Sequence, residues 1–174
     1  VNPSGSETWS DQALYRKGAG VGAPPDALAL KGQDWGIPPQ DPNVLQAERY
    51  QPFRELLAAS MSHFGALRLD HVMALFRQWW VPVGLGATDG GYVHYPLDDL
   101  MSVLALESER HACLVVGEDL GTVPEGFRER MEAAGVLSYR VLLFEFDADG
   151  AFVQPQDYPQ LAMDTPGSHE LASL

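Results

Sequence analysis

"ALRLDHVMALFRQWW", residues 66–80, is the stretch on which the fold turns. It opens as a short strand, Ala66-Leu67-Arg68-Leu69, and runs on into apolar and aromatic residues. At the junction stand Arg68, Asp70 and His71, three groups that cost free energy to bury. An apolar body with an acidic tip recurs down the chain. "GEDLG" closes the strand-like "ACLVVGEDLG" (112–121), "FEFD" (144–147) closes "SYRVLLFEFD", and "SHEL" (168–171) lies near a fourth strand-sized segment in "PQLAMDTPGSHELASL". Tips of this kind belong where the C-terminal ends of parallel strands converge on a site.

Helical patterns separate these strands. Residues 44–64 repeat Leu45, Phe53, Leu56, Leu57, Met61 and Phe64 at helical spacing, with Asn43 as an N-cap. "HVMALFRQWWVPVG" (71–84) reads as mostly helix ending at Pro82. "GYVHYPLDDLMSVLALESERH" (91–111) passes from a short extended piece into a helix with Leu97, Leu100, Val103, Leu104 and Leu106 on its apolar face. "VPEGFRERMEAAGV" (123–136) gives a third helix with Pro124 in its first turn. Strands alternating with helices at this spacing predict parallel βα units and an α/β fold. Residues 1–43 carry little periodicity and read as a long loop, a length that is uncommon without a function. That loop holds Asp26, Gln33, Asp34 and Trp35.

Composition narrows the partners. The chain has 174 residues, 45% apolar and 20% charged, as expected of a globular domain with a sizeable core. Its 24 acids against 11 bases give a net charge of −13, which repels phosphate backbones and anionic membranes. Nucleic acid and membrane are therefore not expected partners, whereas neutral ligands are. The single cysteine, Cys113, sits in an apolar run and reads as a small buried hydrophobe, in keeping with a reducing, cytoplasmic compartment. No apolar stretch reaches a membrane span, and the opening "VNPSGSETW" reads as no signal peptide. Both termini read as cuts through a larger protein.

Two chemistries fit the tips. In retaining glycosyl transfer, an ionised carboxylate attacks and a protonated carboxyl serves as acid, about 5–5.5 Å away. An arginine beside a carboxylate favours its ionised form, and desolvation keeps a second carboxyl protonated. Arg68 with Asp70 suits the first role and Glu118 the second. The other chemistry is a divalent-metal site drawn from Asp70, His71, Glu118, Asp119, His169 and Glu170. It lacks a dense ligand motif, and Arg68 would repel the cation. Each acid alone also fits a bland reading as a cap or a solvated loop end.

With these residues placed, the whole chain resembles 4-α-glucanotransferase (amylomaltase, or disproportionating enzyme) of the α-amylase-like clan. "GAPPDALALKGQDWG" (22–36) is similar to the family's substrate-covering loop, "ALRLDHVMALFRQWWVP" (66–82) to its nucleophile segment, and "GGYVHYPLDDL" (90–100) to the motif that follows. "VVGEDLGTVP" (115–124) is similar to its acid/base segment, "YRVLLFEFD" (139–147) to the next strand, and "SHELASL" (168–174) to its "THDxxT" motif.

The resemblance implies a fragment, 1–174, of a catalytic (β/α)8 TIM barrel, with about four of eight strands present and 18–43 as the covering loop. It implies Asp70 as nucleophile, Glu118 as general acid/base and Arg68 as the group orienting Asp70. His169 would hold sugar hydroxyls, Trp35 would stack on the glucan, and Asp26 would sit on the same loop. The family's third catalytic carboxylate is an aspartate; here the position is Glu170, one methylene longer. The substrates implied are α-1,4-glucans and maltooligosaccharides, with no cofactor and no metal. The alternative is a truncated, non-catalytic glucan-binding or structural fragment.

Overall fold

The computed structural model describes residues 4–26 and 29–167. Its helices are α1 (Ser6–Ser10), α2 (Pro42–Ala47), α3 (Gln51–Met61), α4 (Leu97–His111) and α5 (Phe127–Ala133). Its strands are β1 (Ala19–Ala23), β2 (Gln33–Ile37), β3 (Ala66–Leu69), β4 (Arg77–Pro82), β5 (Gly91–His94), β6 (Leu114–Gly117), β7 (Leu137–Val141) and β8 (Ala162–Thr165). The chain forms two compact units, Val1–Leu56 with Ala74–Val103, and Leu57–Met73 with Leu104–Leu174.

The first unit carries an antiparallel sheet in the order β2-β1-β4-β5. The segment read as loop thus contains the β1–β2 hairpin. Register shifts between Val21 and Gly22, and a Cβ on Gly22 would lie 1.9 Å from the Gln33 carbonyl oxygen. Only glycine fits that bulge.

The helix expected after His71 is also corrected. Val72–Leu75 makes a single 3₁₀ turn, and Arg77–Pro82 is strand. Helical spacing of its apolar residues loses to sheet pairing, because β4 has a partner on each side, β1 and β5. Trp79 lies opposite Tyr92 with ring centroids 4.9 Å apart, edge to face. The Arg77 guanidinium sits 3.9 Å from the centroid of the same tyrosine ring. Such cross-strand aromatic pairs are what a pleated surface rewards.

The helix expected over 44–64 is broken in two. Asp41, not Asn43, caps α2: its Oδ1 accepts from the amides of Asn43 at 2.7 Å and Val44 at 3.3 Å, and Pro42 occupies the first turn. Arg49 and Tyr50 then take φ of 52° and 59° and stop the helix. Burial of Tyr50 and its hydroxyl bond to Asp99 offset that strain. In α3 the buried face is narrower than its periodicity suggests, since Phe53, Leu57 and Met61 are buried whereas Leu56 is exposed.

The second unit is built on a parallel sheet in the order β3-β6-β7-β8. Its core gathers Val116, Tyr139 and Val141, with Leu120, Leu137, Leu143 and Met163 packed on them. Cys113 is buried, as its apolar run predicts. The α5 helix begins at Phe127 rather than at Pro124, after Gly126 with φ 73°. β7 ends at Val141, and a 3₁₀ turn at Leu142–Phe144 separates it from the acids of "FEFD". Among the described residues, no helix is long and apolar enough to cross a membrane.

Candidate active site

Leu69 and Gly117 are register partners at the ends of β3 and β6. The next residue of each strand, Asp70 and Glu118, therefore leaves the sheet at the same C-terminal edge. The Glu118 amide donates to the Leu69 carbonyl at 2.9 Å, and the Val72 amide returns a bond to the Glu118 carbonyl at 2.9 Å. His71 adopts φ 47°. In that left-handed conformation its N–H donates to Glu118 Oε2 at 2.7 Å. The second carboxyl oxygen, Oε1, accepts the Leu120 amide at 2.7 Å. Gly117 makes the tip possible, because a Cβ there would meet Met131 Cε at 2.7 Å and both Val72 methyls at 3.0 Å.

The two carboxyls sit in different environments. The Asp70 side chain is 66% exposed and its Oδ1 lies 2.6 Å from Arg68 Nη1. The Arg68 guanidinium is 4.9 Å from the centroid of the Tyr139 ring. Glu118 is buried, at 8% exposure. Burial pushes its pKa up, and the charge of Asp70 adds to this. The Leu120 and His71 amides and the Arg68 charge work against the rise without cancelling it. One carboxyl group thus faces water beside a cation, and its neighbour holds its proton more firmly than a free glutamate does. That division of labour is what acid-assisted displacement needs.

Asp119 has a different task from the one the metal alternative gives it. It is fully buried; Oδ2 accepts from Arg128 Nε at 2.6 Å and Ser138 Oγ at 2.7 Å, and Oδ1 from the Tyr139 amide at 2.9 Å. It ties the tip of β6 to β7 and α5. Among the described residues, no group of three or more His, Cys, Asp or Glu is placed to hold a metal ion. The "FEFD" acids are structural too. Glu145 lies 3.5 Å from Arg140, and Asp147 Oδ1 accepts the amides of Asp149 and Ala151, both at 2.9 Å.

The remaining expected site residues lie elsewhere. His169 and Glu170 fall outside the described residues. Trp35 and Asp26 belong to the first unit. Trp35 is 38% exposed on β2, an edge strand, and its indole N–H donates to Gln33 Oε1 at 2.9 Å. Asp26 is exposed, and its Oδ1 accepts the Ala29 amide at 2.6 Å. The sequence singled out Arg68, Asp70 and Glu118, which the fold brings together. It did not single out Tyr139 or the bonds of Asp119, since these contacts form only when β6 meets β7 and α5.

Comparison with known proteins gives a consistent result. The 4-alpha-glucanotransferase family model matches residues 1–174. A 4-alpha-glucanotransferase of Haemophilus influenzae is 50% identical over 169 residues, covering 97% of this chain and 24% of the relative. One of Mycobacterium tuberculosis is 44% identical over 149 residues, covering 86% of this chain and 21% of the relative. Among solved structures, amylomaltase from Corynebacterium glutamicum superposes with a TM-score of 0.94 at 34% identity, over 98% of this chain and 24% of that one. The chain thus spans about a quarter of the length of these relatives.

Proposed function

The chain belongs to the 4-alpha-glucanotransferase family, and from that premise we propose that its strand tips carry the catalytic pair of a retaining α-1,4-glucan transferase. Asp70 attacks the anomeric carbon of the donor glucan while Glu118 gives its proton to the departing glycosidic oxygen. A glycosyl ester on Asp70 and a shortened glucan result. Glu118, now a carboxylate, takes the proton from the 4-hydroxyl of an acceptor glucan, whose oxygen displaces Asp70 and restores the α-linkage. Arg68 orients Asp70. His169 and Glu170 hold hydroxyls of the reacting sugar, and Trp35 and Asp26, on segment 18–43, engage the glucan chain.

The observation that carries this reading is the pairing of β3 with β6, which sets an exposed carboxylate on Arg68 beside a buried carboxyl with a raised pKa. Strand order supports a barrel. Four parallel strands follow one another across the sheet without the reversal of a doubly wound fold. We therefore assign residues 1–174 to a (β/α)8 catalytic domain. The buried thiol of Cys113 suits a cytoplasmic setting, and maltooligosaccharides are the substrates proposed.

Covalent trapping tests the mechanism. In the full-length protein carrying Glu118→Gln, α-maltosyl fluoride needs no acid to leave, whereas release of the ester still needs the missing base. The peptide containing Asp70 should gain the mass of one maltosyl unit. An adduct on another residue, or none while wild-type transfer proceeds, overturns the assignment.

A further inference from the structure

Tyr139 lies on β7, separated from β3 by β6, yet its ring reaches the Arg68 guanidinium. Three contacts fix it. Its amide donates to the buried Asp119 at 2.9 Å, its hydroxyl accepts from Thr165 Oγ1 on β8 at 3.2 Å, and its side chain packs in the core with Val116 and Val141. At 6% exposure the ring has no room to swing. Arg68 is by nature the mobile partner, with several rotatable bonds to be held.

We propose that Tyr139 is a positioning residue, whose ring is the shelf that aims the Arg68 guanidinium at Asp70. A planar guanidinium on an aromatic face keeps its edge N–H groups free, and one of them meets Asp70 Oδ1 at 2.6 Å. The inference rests on the catalytic pair proposed above. It adds a residue outside that pair, which acts on the nucleophile through Arg68. Because misplacing a reacting group by about 1 Å costs on the order of 10²-fold in rate, loss of the shelf should register in kcat.

The test uses the full-length protein with Tyr139→Phe, Tyr139→Leu, Arg68→Lys, Asp70→Asn and the Tyr139→Leu/Arg68→Lys double variant. Transfer kcat and KM are measured per folded molecule, with folding checked by circular dichroism. Tyr139→Leu should lower kcat about tenfold or more with KM within about twofold. Tyr139→Phe should stay within about threefold of wild type, because the ring and not the hydroxyl supports Arg68. The double variant should be no slower than Arg68→Lys alone, since both changes remove one interaction. If Tyr139→Leu does not fold, Tyr139→Met takes its place, with the same length but no ring face.

An unimpaired Tyr139→Leu, a Tyr139→Phe as slow as Tyr139→Leu, or losses that multiply in the double variant would each overturn the shelf while leaving the catalytic pair standing. Transfer that survives Asp70→Asn overturns the pair and the shelf with it.

Discussion

The backbone N–H of His71 donates to the carboxyl of Glu118 across 2.7 Å, so the residue after Asp70 anchors the other member of the pair. The bond requires φ 47° at His71, a left-handed conformation that costs a non-glycine residue on the order of 1 kcal/mol. Strain at such a place is held by its surroundings. Here these are the Leu69–Glu118 and Glu118–Val72 backbone bonds on either side. The two carboxyls are therefore coupled through the main chain as well as through their charges.

Glu118 should leave a mark on stability as well as on rate. Burial raises its folded-state pKa above the ordinary 4.5, so at pH between the two values the folded protein holds a proton that the unfolded chain has released. Stability from this group is complete below the unfolded pKa and is lost as pH rises through the folded one. Urea unfolding of the full-length protein should show that fall, and Glu118→Gln should flatten it, since the amide does not titrate. An identical pH slope in both proteins would mean the carboxyl is not desolvated in solution.

The parallel half of the fold was legible because each signal was local: apolar runs of strand length, acidic tips, and Pro or Gly at the helix ends. The antiparallel half was not. β4 borrows its stability from β1, nearly sixty residues upstream, and "AGVGA" has neither the β-branched content nor the alternation to announce a strand. Helical spacing in "HVMALFRQWW" was consequently unopposed. The site divides in the same way. Arg68, Asp70 and Glu118 stand beside strand ends that their own sequence marks, whereas Asp119 and Tyr139 acquire their roles only when β6 meets β7. Of the four acidic tips, "FEFD" misled, because β7 ends before it and its acids serve Arg140 and a turn.

Gly117 is the hinge of the pair, and Gly117→Ala tests it. The new methyl would press on Met131 Cε, which can move, and on the two branches of Val72, which cannot move easily. Overpacking of this kind costs about 1–3 kcal/mol. Thermal unfolding should show that loss, and kcat should fall because Val72 and His71 both bond to Glu118. Adding Val72→Ala should restore part of both. A Gly117→Ala protein as stable and active as wild type would refute the close packing.

Asp119 answers to a different measurement. Asp119→Ala strands the Tyr139 amide and the Ser138 hydroxyl in the core, while Arg128, 44% exposed, can turn to water. The expected loss is about 2–4 kcal/mol, below the full cost of breaking a buried ion pair because one partner rehydrates. Asp119→Asn keeps an oxygen for the Tyr139 amide and an N–H for Ser138, and should lose about half as much. A shift of the urea midpoint too small to separate Asp119→Ala from wild type would show that β6 and β7 are joined by other means.

Asp70 should separate stability from activity. Its side chain is 66% exposed, and its ion pair with Arg68 lies where water competes for both groups. Such pairs contribute roughly 0–1 kcal/mol. Asp70→Asn retains an oxygen that Arg68 can bond, so the melting temperature should move by no more than about 2 °C. The same change replaces the proposed nucleophile with an amide that forms no glycosyl ester, and transfer should fall on the order of 10⁴-fold or more. The two readouts together separate three readings of the residue. A capping or solvated acid would give a small effect on both, and a core ion pair a large effect on both. Only an exposed nucleophile gives an intact fold with no turnover, and a variant that transfers glucan at more than about a hundredth of the wild-type rate removes Asp70 from that role.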